Sequence, residues 1–280
     1  YLEYAHTKMN FIRSYQPIPD LDINDIQEAA RLINEAKKPL ALVGQGVILS
    51  EAENELKALL QKADIPAAST MLGLSALPTD DPLNVGMLGM HGNVSPNLKT
   101  NECDVLIAIG MRFDDRVTGD LKTYAKQAKI IHFDIDPAEI DKNVKTTVKV
   151  LGDAKTTLAE VSKLVKENKH TEWINSFKEG AEKEYDAVIK DEVFPIVGGL
   201  KMGEVVYKVS EATQHKGILV TDVGQHQMMA VRYFRYTQPR SVITSGGLGT
   251  MGFGLPAAIG AKIGAPDRTV CLFVGDGGFQ

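Results

Sequence analysis

Three glycine-containing segments in the last third of the sequence have residue types that could hold a phosphate group and a metal ion. They directly follow the apolar runs 218–221, 241–244 and 269–274. The second segment has five glycines within residues 246–254, and the third holds Asp276 between glycines. Backbone N–H groups in such turns can face anions, and Mg²⁺ favours one or two carboxylates together with phosphate oxygens. Each segment alone could be only a turn, but three together favour a phosphate-bearing ligand with a bound metal.

The first half of the sequence places four charged residues shortly after the apolar run 105–109. They are Arg112, Asp114, Asp115 and Arg116. Charges at the end of a buried strand are costly to hold there unless they pair with one another or meet a ligand. Two interpretations stay open at this point: a purely structural ion network, or a site for a charged ligand.

Other segments carry weaker signals. Residues 44–46, Gly-Gln-Gly, permit close approach of a phosphate but are also common in tight turns. Asp134 and Asp136 close another apolar run and could accept hydrogen bonds from a ribose or ribityl chain, although Asp136 could equally cap a helix. In loop 87–92 a Met-His pair stands between glycines, which suits a flat aromatic ring system. By itself this loop indicates only a turn with a satisfied histidine.

An open sheet of parallel strands would bring these segments together. Apolar runs without alternation are typical of strands buried on both faces, and stretches with helical spacing of apolar residues separate them here. The predicted strands are 40–43, 65–68, 105–109, 129–135, 148–151, 218–221, 241–244 and 269–274. In open parallel sheets, ligands bind at the carboxyl ends of the strands, where the segments described above lie. The sequence therefore predicts an α/β fold.

Changes in pattern divide the chain into four parts. Residues 1–19 are predicted to be an incoming linker, and residues 20–166 a central Rossmann-like domain with a parallel sheet. Residues 167–199 read as a helical connector, and residues 200–280 as the truncated start of a second α/β domain. The sequence opens at Tyr1 and closes directly after the third glycine segment, so we expect it to be part of a longer protein.

The composition excludes several classes of function. The 280 residues carry a formal charge of −5 without a basic stripe, which argues against a nucleic-acid partner. No apolar run reaches the roughly 20 residues that cross a bilayer, which argues against a membrane protein. Cys103 and Cys271 both lie in apolar runs, so they predict two core thiols rather than a disulfide or a metal pair. Because free thiols are typical of a reducing compartment, we expect a cytoplasmic location.

The combined motifs resemble the thiamine-diphosphate carboligase family. Residues 275–277 look like the opening of its diphosphate motif, which normally continues to a second metal ligand. Residues 88–92 and 112–119 resemble the FAD-type central domain of the acetolactate synthases more than that of a decarboxylase. The resemblance covers essentially the whole chain and implies a central FAD-type domain followed by a thiamine-diphosphate domain.

The resemblance also implies a set of site residues. Those expected to line FAD are Gly44, Gln45, Gly46, Thr70, Met71, Leu88, Met90, His91, Gly110, Arg112, Asp114, Val117, Asp134, Ile135 and Asp153. Those expected at thiamine diphosphate are Val223, Gly224, Gln225, His226, Gly249, Met251, Gly277 and Gly278, although many relatives have serine at the last position. Asp276 is the implied Mg²⁺ ligand. Arg116 would face the carboxylate of an acceptor 2-oxo acid, and Met251 would keep the cofactor bent.

The family resemblance implies a reaction. Acetolactate synthases condense pyruvate with pyruvate or 2-oxobutyrate, with loss of CO₂, in branched-chain amino acid biosynthesis. A homodimer or tetramer with a small regulatory subunit would be expected. The family's catalytic glutamate and second metal ligand fall outside this sequence, so the chain by itself is expected to be inactive. Two alternatives stay open: an oxidase, decarboxylase or other carboligase of the same superfamily, and a non-catalytic nucleotide-binding module.

Overall fold

Six parallel strands form the larger of two sheets. The computed structural model describes residues 18–280, so nearly all of the predicted linker 1–19 lies outside the described residues. The strand order is β3-β2-β1-β4-β5-β6. The strands are β1 (Pro39–Val43), β2 (Ala67–Ser69), β3 (Asn84–Met87), β4 (Val105–Ile109), β5 (Lys129–Asp134) and β6 (Val148–Leu151). β1 and β4 are buried along their whole length because both faces of the sheet are covered.

Helices cover this sheet on both faces. They are α1 (Ile23–Glu35), α2 (Gln45–Leu49), α3 (Glu53–Ala63), α4 (Val94–Thr100), α5 (Asp115–Thr118), α6 (Ala154–Leu164) and α7 (Thr171–Glu184). On one face α1, α3 and α6 share a core through residues such as Ile33, Leu60 and Leu158. On the other face Trp173 and Phe177 of α7 pack in a second core, and the Trp173 indole donates to the Pro39 carbonyl at 2.7 Å. The start of the predicted connector is therefore a layer on the first sheet.

The second unit contains a sheet of three parallel strands in the order β8-β7-β9. The strands are β7 (Ile218–Thr221), β8 (Val242–Thr244) and β9 (Val270–Phe273). The chain reaches them through a π-helical turn (Tyr185–Ile189), α8 (Lys190–Val193) and α9 (Met202–Ala212), and adds α10 (Gln225–Tyr233), α11 (Gly254–Gly264) and α12 (Asp276–Phe279). Leu74 and Met87 of the first unit share a hydrophobic cluster with Val206, Leu219 and Ala230 of the second. The two units are thus packed directly against each other.

The predicted α/β class with parallel sheets is confirmed. Strand β3 was not predicted, because Asn84 and Gly86 interrupt the apolar run. Both cysteines are free thiols; Cys103 is fully buried as expected, whereas Cys271 is only half-buried because β9 is an edge strand. Between residues 18 and 280, none of the helices combines the length and apolar character that a bilayer span requires.

Candidate functional site

A groove of about 600 Å³ lies at the carboxyl ends of the strands of the first sheet. The loop after each of the six strands contributes to its wall. The second unit adds a further part of the wall, from Val223, Gly224, Gln227, Met228, Gly246, Gly247 and Gly249. The predicted flavin residues that line the groove are Gln45, Gly46, Thr70, Met71, Leu88, Met90, His91, Gly110, Arg112, Asp114, Val117, Asp134 and Ile135. Arg116 lines it as well.

Two predicted flavin residues, Gly44 and Asp153, lie outside this lining. A Cβ on Gly44 would stand 2.1 Å from the carbonyl oxygen of Gly110, and a Cβ on Gly46 would stand 2.6 Å from the Gly110 Cα. The Gly46 amide donates to the Gly110 carbonyl at 3.1 Å. The Gly-Gln-Gly turn therefore has its glycines because two strand-end loops touch there. Asp153 caps α6 by accepting amides of the first helical turn.

The four charged residues after β4 separate into two pairs of different character. Arg112 donates to one oxygen of Asp114 at 3.0 Å, and the other oxygen caps α5 by accepting the Arg116 amide at 3.0 Å. The Arg116 guanidinium is 3.9 Å from Asp115, and the two side chains are 63% and 82% exposed. An exposed ion pair of this kind contributes only about 0–1 kcal/mol. Arg112 is thus held by Asp114, whereas Arg116 keeps its donors available to an anion in the groove.

Asp134 ends β5 with its carboxylate nearly buried. One oxygen accepts the Asp136 amide at 2.9 Å, and the other lies 3.6 Å from Nε2 of His132. Because this ring nitrogen is also 2.8 Å from the Met111 carbonyl oxygen, it must carry the proton. His132 thus donates this proton to Met111, and the hydrogen bond that orients the Asp134 carboxylate comes from the Asp136 amide. Asp136 accepts the Ala138 amide at 2.9 Å and caps a turn rather than a helix.

The loop after β3 brings Met90 and His91 to the groove and is fixed from several directions. The Met90 amide donates to the Arg116 carbonyl at 2.8 Å. Gly89 has a φ of +100°, and a Cβ there would stand 2.8 Å from the same carbonyl oxygen. The Asn97 side chain accepts from the Gly89 amide at 2.8 Å and donates to its carbonyl at 3.0 Å. This loop therefore needs glycine where it crosses the backbone of Arg116.

The thiamine residues implied by the resemblance divide between the groove and the neighbouring loops. Val223, Gly224 and Gly249 line the groove. The other five do not line the groove and lie on the loops after β7, β8 and β9 or in the helices that follow these loops: Gln225, His226, Met251, Gly277 and Gly278. Met251 is 67% exposed.

Asp222, directly after β7, organises the turns of the second unit. It is 1% exposed, and its carboxylate accepts amides from Val223 at 2.7 Å, from Gly252 at 2.9 Å and from Gly254 at 3.2 Å. A Cβ on Gly278 would stand 2.7 Å from the same carboxylate. One buried anion thus joins the turns that follow all three strands. The signal in the sequence was an acid immediately after a buried apolar run.

The His226 ring lies between two of these turns. A Cβ on Gly224 would stand 3.0 Å from its Cε1, and a Cβ on Gly275 would stand 3.6 Å from it. Its Nε2 is buried and has no hydrogen-bond partner among residues 18–280. Asp276 is exposed at the start of α12, and one of its oxygens accepts the Gly277 amide at 2.9 Å.

Two models of one protein family match this chain. The "Thiamine pyrophosphate enzyme, central domain" matches residues 26–161, and the "Thiamine pyrophosphate enzyme, C-terminal TPP binding domain" matches residues 222–280. This chain belongs to the thiamine pyrophosphate enzymes.

Curated relatives point to one group of thiamine pyrophosphate enzymes. A probable acetolactate synthase large subunit of Methanococcus aeolicus is 44% identical over 278 residues, which cover 95% of this chain and 46% of the relative. The acetolactate synthase large subunit of Corynebacterium glutamicum is 42% identical, with 95% and 43% covered. The chloroplastic acetolactate synthase 1 of Nicotiana tabacum is 43% identical, with 91% and 38% covered. The chain therefore spans about half the length of the curated relatives it matches.

The residues of the second unit fit thiamine pyrophosphate and a metal ion. The buried, unpartnered Nε2 of His226 needs a polar group at the place where the glycine turns meet. In the described part of the chain, no three His, Cys, Asp or Glu side chains form a cluster that could hold a metal by themselves. Mg²⁺ takes few protein carboxylates and completes its shell with phosphate and water oxygens, so Asp276 alone is compatible with it.

Some groove residues were missed by sequence reasoning. Gln227 donates to the Thr244 hydroxyl at 2.8 Å and lines the groove although no motif marked it. Glu139 also lines the groove: one oxygen pairs with Lys142 at 2.7 Å, and the other is buried without a partner among residues 18–280. Glu139 lies in an irregular turn, where the sequence carries no periodic signal.

Proposed function

We propose that the full-length protein containing this chain is an acetolactate synthase. It would condense pyruvate with pyruvate or 2-oxobutyrate, with loss of CO₂, in branched-chain amino acid biosynthesis. The observation that carries this proposal is Arg116, a weakly paired guanidinium in a groove walled by both units. The relatives named acetolactate synthase large subunit, with identities of 42–44% over more than nine-tenths of this chain, support it.

Three cofactors belong to the proposal. Thiamine diphosphate, when bound, supplies the nucleophilic carbon and the electron sink of the reaction. Its diphosphate would be held by the turn at Val223, Gly224, Gln225 and His226 and by Gly277 and Gly278, its pyrimidine by Gly249 and Met251, and Mg²⁺ by Asp276. FAD would occupy the groove, in contact with the predicted flavin residues that line it. The predicted oligomer, regulatory subunit and cytoplasmic location stay predictions.

The role of Arg116 is to bind and orient the acceptor. A guanidinium can donate two parallel hydrogen bonds to a carboxylate, and a 2-oxo acid presents one beside its reacting carbonyl. The Arg116 carbonyl is already fixed by the Met90 amide, so the backbone at the base of this side chain is held in place. Arg112 is the less suited of the two arginines, because one of its terminal nitrogens already donates to Asp114.

Arg116→Lys in the full-length protein tests this assignment. Lysine keeps the charge but loses the fork, and a lost charge-assisted hydrogen bond costs about 1.5–3 kcal/mol, or roughly a tenfold or greater loss of rate. Acetolactate formation should fall by that factor, whereas release of CO₂ from pyruvate should change less. The melting temperature should stay unchanged, because the Asp115 pair is weak.

The matched control is Arg31→Lys, an exposed arginine of α1 that pairs with Glu28 and Glu35. It should leave both products at the wild-type level. A parallel loss of acetolactate, CO₂ and melting temperature in Arg116→Lys would contradict the proposal and make Arg116 part of the scaffold. Reduction of bound flavin by pyruvate would instead favour a redox member of the family.

A further inference from the structure

A buried ion pair connects the second unit with the loop that carries Met90 and His91. Glu184 is the last residue of α7, and Arg232 lies in α10. Their side chains form an ion pair and are only 3% and 18% exposed. Removing one partner of such a buried pair leaves an uncompensated charge. We call this pair the Glu184–Arg232 bridge.

Both members of the bridge also bind loop 87–94. The second oxygen of Glu184 accepts the Val94 amide at 3.1 Å and the Asn93 side-chain amide at 3.3 Å. Asn93 in turn accepts the Met87 amide at 3.1 Å. The bridge thereby reaches both ends of the loop.

Arg232 holds the middle of the same loop. One terminal nitrogen donates to the carbonyl of Gly92 at 2.9 Å and lies 3.5 Å from the carbonyl of His91. On the side of the first unit, the Met90 amide is bound to the Arg116 carbonyl. The loop is therefore clamped between the backbone of Arg116 and a charged pair that belongs to α7 and α10.

Helix α10 connects this clamped loop with another part of the groove wall. The helix begins at Gln225, directly after the turn that contains Val223 and Gly224. Both of those residues line the groove together with Met90 and His91. A helix is stiff over this length, so a shift of its first turn reaches Arg232 and, through it, the loop.

We propose that Glu184 and Arg232 are positioning residues that fix loop 87–94 at the groove and couple its placement to α10. The consequence for binding rests on the proposed function, because it takes the ligand of that groove to be FAD. The competing explanation is that the bridge only stabilises the contact between the two units. The two explanations differ in whether a variant affects the loop alone or the whole fold.

The test uses the full-length protein and two variants. Glu184→Gln keeps the side-chain size but removes the charge. Asn93→Ala removes the side-chain bonds to the Met87 amide and to Glu184, and leaves both charges paired and the backbone bond from Asn93 to Met87 in place. The control is Glu182→Gln, an exposed glutamate of the same helix. Hydrogen exchange followed by mass spectrometry measures the exchange rates of the backbone amides in loop 87–94, and the amides of β4 serve as the internal reference. FAD affinity is measured separately by fluorescence titration.

We expect exchange in loop 87–94 to rise roughly tenfold or more in both variants, with β4 and the Glu182→Gln control unchanged. FAD should bind about tenfold more weakly to both variants than to the control. Unchanged loop exchange in either variant, or an equal rise in β4, would overturn the positioning role. If wild-type protein binds no FAD while the loop still responds, the flavin part of the proposed function fails and the positioning role stands.

Discussion

Asp222→Asn is the substitution that tests most directly how the turns of the second unit are held. Asparagine has nearly the shape of aspartate but only one acceptor oxygen and no charge. In the wild type one carboxylate oxygen accepts Val223, and the other accepts Gly252 and Gly254 at 2.9 and 3.2 Å. Whichever way the asparagine turns, its amide nitrogen faces at least one backbone N–H.

The expected magnitude follows from that geometry. With its oxygen toward Gly252 and Gly254, asparagine loses at least the bond from Val223, and the remaining bonds lose their charge assistance. One lost charge-assisted bond costs about 1.5–3 kcal/mol, so the free energy of unfolding should fall by about 2 kcal/mol or more. For a domain of roughly 150–250 residues that melts as one unit, each kcal/mol lowers its melting temperature by roughly 2–4 °C. A decrease of at least about 4 °C is therefore expected.

Two measurements on the full-length protein check this result. Scanning calorimetry without cofactor gives the melting temperature, and titration with thiamine diphosphate and Mg²⁺ gives the affinity. The loop after β8 donates its Gly252 and Gly254 amides to Asp222 and also carries Gly249 and Met251. Binding should therefore weaken about tenfold, equivalent to ~1.4 kcal/mol. The control is Asp267→Asn, an exposed aspartate in the turn between α11 and β9. If Asp222→Asn melts and binds cofactor like this control, the buried carboxylate does not organise the turns.

Two further outcomes are expected. Glu139→Ala should weaken FAD binding about tenfold, because Glu139 lines the groove and one of its oxygens is buried without a partner among residues 18–280. Fluorescence titration measures the affinity, and the control is Glu102→Ala, whose pair with Lys99 is also 2.7 Å long. Equal FAD affinity in the two variants would contradict this prediction. Burial raises the pKa of the Cys103 thiol to about 12 and raises that of Cys271 as well, so both should be protonated at pH 8, with the half-buried Cys271 the more accessible. Alkylation followed by mass spectrometry should therefore label Cys271 first. Because the thiolate is the nucleophile, Cys103 should react appreciably only as the pH approaches its raised pKa. Faster labelling of Cys103 than of Cys271 at pH 8 would refute this prediction.

Uninterrupted apolar runs alternate in this sequence with stretches whose apolar residues have helical spacing. This pattern was enough to predict parallel strands, because a strand buried on both faces requires uninterrupted apolar residues. Once the strands are parallel, their carboxyl ends share one edge. The sequence therefore also indicated that Arg116 and Asp134 would come together, and the groove brings them together. The exception among the strands is β3, whose Asn84 and Gly86 break the apolar pattern.

The roles of individual side chains were decided only by the tertiary structure. Nothing in the local sequence distinguishes Arg112 from Arg116, yet Asp114 accepts a hydrogen bond from the former, whereas the latter has only a 3.9 Å contact with Asp115. The glycines at Gly44 and Gly46 proved to serve contact with Gly110, a residue on another strand end. Glu184 and Arg232 stand 48 positions apart and meet only where two units pack together. Periodicity is a local property of the chain, whereas hydrogen bonds and ion pairs depend on which distant elements the fold places within about 3 Å of each other.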